Sequence, residues 1–150
     1  MANEQLPVDS SLFFKLVRVV NLTARPFHQG VGKQHQLSIN EWRVMVVLAS
    51  HPGVAATDVA DSTGLDKMTV SRALAALEKN DRLVRSGDPA DLRKSRLFLS
   101  SAAKRLFAKI GLRATQREAA LFSGLSALEI ERMNATLDKL IDALRRAEPD

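Results

Sequence analysis

The sequence predicts a mainly α-helical fold with a helix-turn-helix at its centre, a β-hairpin wing after it and further helices at both ends. Three observations predict it. Apolar residues recur at helical spacing along most of the chain, a capped helix pair occupies residues 56–80, and two short alternating segments at 82–86 and 95–99 enclose a charged tip. The chain 1–150, 45% hydrophobic, is long enough to build one domain with a real core.

The first predicted helices precede the helix-turn-helix. Apolar spacing predicts a helix over about 9–28, capped at residues 9–11, and then a loop over 29–37. Ser38 and Glu41 have the spacing of a capping box and predict the start of the next helix. We expect Pro52 to end that helix because proline has no amide hydrogen for the ladder. The residues expected to face inward are Ile39, Trp42, Met45, Val46 and Ala49.

Residues 56–80 have the spacing of a helix-turn-helix. Ala60 fits a close helix crossing, Gly64 a tight turn, and Val70 a core anchor. Asp66 is expected to cap the second helix, which runs to about Asn80 with one apolar stripe. The opposite face is mostly polar, which a packed helix does not need but a DNA major groove can use. That face carries Lys67, Met68, Thr69, Ser71 and Arg72.

The wing and two helices complete the chain. Alternating residues predict strands over 82–86 and 95–99 with a tip at 87–94. Ser100 is expected to cap a long helix that ends near Leu121. Ser126 and Glu129 form a second capping box and predict the start of a last helix.

The first and last helices are strongly amphipathic, although one chain offers little to cover them. A two-fold dimer would bury both and present two recognition helices to consecutive major grooves. The residues predicted for this interface are Leu12, Phe13, Leu137, Leu140, Ile141 and Leu144.

Charge and composition favour a nucleic-acid partner over other function classes. The formal net charge is +5, and residues 92–116 carry seven Lys or Arg without one acidic residue. Cysteine is absent, which excludes disulfides and thiolate chemistry. No hydrolase or phosphate-loop motif occurs, and the three histidines lack metal-ligand spacing, so we expect no enzyme, no metal and no cofactor.

No segment of the sequence reads as a membrane span or a leader. No run approaches the ~20 apolar residues that cross a bilayer. The first residues have neither a basic nor an apolar signal region, so we expect a cytoplasmic protein.

Four segments resemble the MarR family of bacterial transcription regulators: NEWRVM at 40–45, DKMTVSR at 66–72, LEKNDRLV at 77–84 and DLRKSRLFLS at 91–100. The resemblance covers nearly the whole chain, and Asp91, Arg93, Leu99 and Ser100 fill the wing signature, its most specific part. It implies a winged-helix lobe over about 38–100 and dimerisation helices over about 9–30 and 101–147. It also implies a homodimer, usually a repressor, that binds a palindromic operator and is released by a small molecule. The chain departs from the family at Asn80–Asp81, where a basic residue and Gly are usual, so we expect Asn80 to form a left-handed cap.

Each candidate DNA contact has a competing interpretation. Arg93 at the wing tip is interpreted as a minor-groove contact oriented by Asp91, the alternative being a solvated turn arginine paired with that carboxylate. Lys67 and Arg72 could reach guanine edges or phosphates, or could be ordinary surface charges. Four further residues are weighed in the same way: Thr69 and Ser71 as phosphate contacts or surface polarity, and Lys94 and Arg96 as backbone contacts or strand solubility. Met68 could touch a thymine methyl, but packing on its own helix is slightly favoured.

The resemblance also implies an effector site between the dimer helices and the DNA-reading lobe. An apolar cleft with one or two cations would suit a small aromatic carboxylic acid. The candidate contacts are Arg18, His28, Trp42, Arg43, Met45 and His51, and for the apolar members an ordinary core role is the simpler interpretation.

The alternative function is a winged-helix protein interaction module without DNA binding. The basic recognition face and wing argue against that alternative.

Overall fold

The computed structural model describes residues 7–87, 90–91 and 95–147. The elements in chain order are α1 (Leu12–Gln29), α2 (Val31–His35), α3 (Ile39–Ser50), α4 (Ala56–Thr63), α5 (Lys67–Lys79), β1 (Leu83–Ser86), β2 (Arg96–Leu99), α6 (Ser101–Phe122) and α7 (Ala127–Ala147). The predicted helical fold with one hairpin is therefore confirmed. The chain divides into two compact units, Met1–Ala108 and Lys109–Asp150.

The core of the first unit lies where α3, α4, α5 and the hairpin meet. Its largest fully buried side chains include Met45, Leu48, Leu77 and Leu97. Burial of each such side chain contributes about 1.5–3 kcal/mol relative to an exposed one. β1 and β2 pair antiparallel, with Leu83 opposite Leu99 and Ser86 opposite Arg96. The apolar face of α5 thus packs on this core, and the polar face of the same helix points away from it.

The inward face of α3 differs from the predicted one. The capping box is confirmed, since Ser38 N donates to Glu41 Oε2 at 2.9 Å and Glu41 N donates to Ser38 Oγ at 3.0 Å. The buried stripe, however, is Glu41, Val44, Met45 and Leu48, whereas Val46 and Ala49 are exposed. The helix is apolar on nearly every side, so its sequence fits two phases, and packing against α5 and β2 selects one of them.

The predicted loop over 29–37 contains a helix, α2. Its end is held by Arg82, whose Nη2 donates to the carbonyl of His35 at 2.6 Å and Nη1 to that of Gln36 at 3.2 Å. Gln36 is left-handed, at φ 50° and ψ 54°. The loop prediction was wrong because a side chain 47 residues away satisfies the last carbonyls of α2.

The turn and the C-terminal end of the helix-turn-helix each contain a left-handed residue. Gly64 is left-handed at φ 74°, as its predicted place in the turn requires. At the end of α5, Asn80 was predicted to be left-handed, but it has φ −95° and Asp81 takes that conformation at φ 56°. Arg82 N then donates to Leu77 O at 2.8 Å, which places the left-handed residue one position after the helix cap.

The second unit contains the exposed helix α7. Its predicted capping box is confirmed by bonds from Ser126 N to Glu129 Oε2 and from Glu129 N to Ser126 Oγ, at 2.8 and 3.1 Å. None of the described α7 residues is buried, and the apolar stripe Ile130, Met133, Leu137, Leu140, Ile141 and Leu144 is exposed. Leu12 and Phe13 on α1 are likewise about 70% exposed. Both apolar faces are therefore open in a single copy of the chain.

Candidate nucleic-acid interface

The predicted recognition helix α5 has one face in the core and one in solvent. Val70, Ala73, Leu74 and Leu77 are buried and fix the helix on α3 and α4. The predicted DNA contacts Lys67, Met68, Ser71 and Arg72 are all exposed. Met68 is 60% exposed, so most of its side chain is available to a ligand.

The N-terminus of α5 is capped by Asp66. Its Oδ1 accepts from Thr69 N and its Oδ2 from the Thr69 hydroxyl, both at 2.8 Å. These two hydrogen bonds from Thr69 hold the pKa of Asp66 below its ordinary value of 3.8. The hydroxyl proton of Thr69 is therefore committed within the helix, and the oxygen can only accept a hydrogen bond from a partner. A phosphate contact through this hydroxyl would require it to exchange its bond with Asp66, and the predicted contact of Thr69 with DNA stays a prediction.

The root of the wing positions Arg96. Its Nε donates to the carbonyl of Gly53 at 3.3 Å, and its guanidinium carbon lies 5.6 Å from the centre of the Phe98 ring. Leu97 and Leu99 point into the core, so Arg96 and Phe98 share the outer face of β2. Arg96 is thus an exposed cation that the turn after α3 and an aromatic ring hold in place.

The tip of the wing is described only in part. Arg93 and Lys94 lie outside the described residues, so their predicted contacts stay predictions. Asp91 is half-buried.

Two arginines that the sequence did not single out connect the wing to the helices. Arg82 ties the start of the hairpin to the end of α2, as described above. Arg85 on β1 forms an ion pair with Glu78 on α5, with Nε 3.1 Å from Oε2. Both side chains of that pair are partly exposed, so the pair contributes less than about 1 kcal/mol to the free energy of unfolding. Arg82 carries no sequence signal, since its partners are distant along the chain.

The six predicted effector contacts lie on α1, on α3 and at the residue that caps the end of α3. Trp42 stacks on Phe107 with ring centres 5.0 Å apart, and its other neighbour is Phe27 at 6.2 Å. Met45 is fully buried, and His28 is exposed beside Phe27. The other three lie apart: Arg43 donates to Asn40, His51 is the C-cap of α3, and Arg18 lines an open groove of about 410 Å³ along α1.

A second cavity lies at the base of the wing, and we call it the Phe98 cavity. Its volume is about 200 Å³. It is lined by Leu48, Ala49, Pro52, Phe98, Leu99, Lys104 and Phe107. Lys104 is the single charged side chain of this lining. The sequence did not single out the cavity because its walls come from three separate segments.

The described part of the chain contains neither a metal-ligand cluster nor a membrane-spanning helix. Across 7–87, 90–91 and 95–147, no group of three or more His, Asp or Glu side chains is arranged to hold a metal ion. Among the same residues, every helix is too short or too polar to cross a membrane.

The central part of the chain is similar in sequence to a known family. Residues 35–94, from the end of α2 into the wing, match the MarR family. The resemblance inferred from the motifs is thereby confirmed. No curated protein matches the chain in sequence.

Solved structures share the fold over almost the whole chain. A MarR/EmrR-family transcriptional regulator from Acinetobacter sp. ADP1 is 22% identical with a TM-score of 0.84, covering 94% of this chain and 99% of that one. MepR from S. aureus in complex with DNA is also 22% identical, with a TM-score of 0.79 over 92% and 99%. CouR from Rhodococcus jostii RHA1, bound to p-coumaroyl-CoA, is 22% identical with a TM-score of 0.75 over 91% and 96%.

Proposed function

From the match of residues 35–94 to the MarR family, we propose that the protein is a sequence-specific DNA-binding transcriptional regulator. It acts in the cytoplasm as a homodimeric repressor that leaves a palindromic operator when a small aromatic acid binds. The observation that carries the proposal is the division of α5 into a buried apolar stripe and an exposed basic face. A helix held in this way can enter a major groove without losing its own packing.

In the proposed complex α5 reads the major groove and the wing contacts the backbone and minor groove. Arg72 and Lys67 contact guanine edges or phosphates, Ser71 contacts a phosphate, and Met68 contacts a thymine methyl. The exposure of Met68 favours this contact over packing on its own helix. In the wing, Arg93 enters the minor groove beside Asp91, and Lys94 and Arg96 contact the backbone. MepR, which has the same fold, has been solved in complex with DNA, and this supports DNA binding by the protein.

The dimer is proposed from the apolar faces that a single copy leaves open. Leu12 and Phe13 on α1 and the stripe of α7 expose large apolar side chains that soluble monomers seldom leave uncovered. A second copy covers these side chains in a two-fold symmetric dimer. The operator is palindromic because its two half-sites mirror the symmetry of that dimer.

The effector is proposed to be a small aromatic acid. CouR, a fold relative, binds the thioester of an aromatic acid, which supports an aromatic ligand. The candidate contacts from the sequence are Arg18, His28, Trp42, Arg43, Met45 and His51, and of these Trp42 stacks on another aromatic ring, Phe107. The acid acts by population shift, because it lowers operator affinity only as far as it prefers the dimer form that does not fit DNA.

Salt dependence of DNA binding tests the core of this proposal. With the intergenic DNA upstream of its own gene as probe, log affinity should fall by about 0.9 per neutralised phosphate for each log unit of salt. Arg93→Ala should weaken binding and lower the slope without changing the melting temperature, since a wing tip buries little surface. Gel shift and anisotropy measure both effects. A DNA affinity that does not change with salt would refute the DNA function, and no DNA binding at all is the result that the protein interaction module predicts.

A further inference from the structure

We propose that the Phe98 cavity is a binding site for a single-ring aromatic carboxylate, and that its occupancy displaces Arg96 from the wing root. The inference rests on the proposed function, since it assigns the effector a site and a route to the DNA-binding surface. All residues that line the proposed site, together with Gly53 and Arg96, belong to the first compact unit.

The lining of the cavity selects the ligand class. Two aromatic rings, Phe98 and Phe107, and aliphatic side chains offer an apolar surface to a flat ring. Lys104 supplies a positive charge, and the lining contains no carboxylate to oppose an anion. Sites for drug-sized ligands measure about 300–1,000 Å³. At about 200 Å³, this cavity suits one ring with one carboxylate.

Phe98 connects the cavity to the wing. Its ring is a wall of the cavity and also the surface on which the Arg96 guanidinium rests, 5.6 Å from the ring centre. The second anchor of Arg96, the carbonyl of Gly53, directly follows Pro52, another wall residue. A ligand pressed between Pro52 and Phe98 therefore acts on both supports of Arg96.

The backbone at Gly53 is closely packed beside the side chains of Arg96 and Phe98. Gly53 has φ 88°, and a methyl group added there would lie 2.7 Å from Arg96 Nη2 and 3.2 Å from Phe98 Cζ. The guanidinium and the ring therefore both lie close to the backbone of Gly53, so a ligand that shifts the Phe98 ring also shifts the surface on which Arg96 rests. Allosteric couplings of this kind are typically about 5- to 150-fold in affinity. We expect a value near the lower end, because one exposed cation is displaced in each subunit.

Binding is tested first without DNA. Trp42 is the single tryptophan and stacks on Phe107, so its emission reports ligand at that wall. Benzoate should change the emission with a dissociation constant below about 1 mM, the weak end of useful affinity. Lys104→Met should weaken benzoate at least tenfold, as loss of a charged hydrogen bond predicts, and should barely affect neutral benzamide. Lys109→Met on the same helix removes equal charge outside the cavity and should bind benzoate like the parent.

Two results of this titration would overturn the site. One is the absence of any benzoate binding by calorimetry at concentrations up to that limit. The other is loss of binding in Arg18→Gln rather than in Lys104→Met, which would place the acid in the α1 groove instead. Neither result depends on DNA, so neither is confused with failure of the DNA function.

The route to the wing is tested with DNA. Benzoate should weaken binding of the parent to the upstream intergenic DNA by about 5- to 30-fold. Arg96→Gln should bind that DNA more weakly than the parent, and benzoate should weaken it no further. If benzoate releases this variant as strongly as the parent, Arg96 is not the route. If benzoate binds the parent without releasing DNA, the cavity is not coupled to the wing.

Discussion

α5 and α7 are both amphipathic, but the apolar side chains of α5 are buried and those of α7 are exposed. In α5 the stripe that includes Val70, Leu74 and Leu77 is buried within its own chain. In α7 no described residue is buried, and the stripe that includes Leu137 and Ile141 is exposed. The exposed basic face of α5 is thus free for a ligand, whereas the exposed apolar stripe of α7 has the character of a protein-interaction surface.

The largest expected effect comes from charging the stripe of α7. Ile141→Asp would place a carboxylate in the proposed dimer interface, and burying it unpaired costs at least about 2 kcal/mol per site. We expect a monomer by sedimentation, and operator binding should be lost because a single recognition helix contacts only one half-site. If the variant stays dimeric, the dimer interface does not lie on this stripe.

Ala135→Asp is the matched control for that substitution. Ala135 is exposed on the same helix, six residues before Ile141 and off the apolar stripe. It should stay dimeric and bind DNA, since it adds the same charge without entering the interface. Monomer in both variants would instead indicate a general loss of α7.

A substitution on the exposed face of α5 should separate DNA binding from assembly. Arg72→Ala should weaken operator binding by about 1–3 kcal/mol, as loss of a base or phosphate contact predicts, with dimerisation and melting temperature unchanged. Arg117→Ala, an exposed arginine on α6, serves as the control. Equal affinity of the parent and Arg72→Ala would show that α5 does not read the operator.

The smallest expected effect concerns the cap of α5. Because the folded pKa of Asp66 is lowered from 3.8, its ionised form stabilises the fold fully above that value. The stabilisation is lost as the pH falls through the lower folded pKa. Urea unfolding of the parent and Asp66→Ala should therefore differ by a constant amount at neutral pH, and the difference should shrink in acid below 3.8. A difference that persists unchanged at the acid limit would show that the charge of Asp66 is not what stabilises the helix.

The elements most predictable from sequence are those fixed by neighbouring residues. Asp66 caps α5 through Thr69, three residues on, and Gly64 closes the turn by its own left-handed backbone. The capping boxes at Ser38 and Ser126 are equally local. The exposed face of α5 could be predicted for the same reason, because it follows once the buried stripe is known.

The features that could not be predicted from the sequence depend on which distant segments of the chain come into contact. The phase of α3 could not be read from the sequence, since Val46 is as apolar as the buried Val44. The Phe98 cavity is assembled from residues 48–52, 98–99 and 104–107, and no spacing rule relates those segments. Asn80 was a reasonable left-handed residue by type, but the hydrogen bond from Arg82 N to Leu77 O assigns that conformation to Asp81.

The bonds from Arg82 to the end of α2 have a consequence for local unfolding. With five residues, α2 is far shorter than a helix that persists alone in water. Its last carbonyls keep their partner only while the first residue of the hairpin segment is in place. The amide hydrogens of α2 should therefore exchange with solvent in the same opening event that frees the base of the hairpin, although the two segments are far apart in the chain.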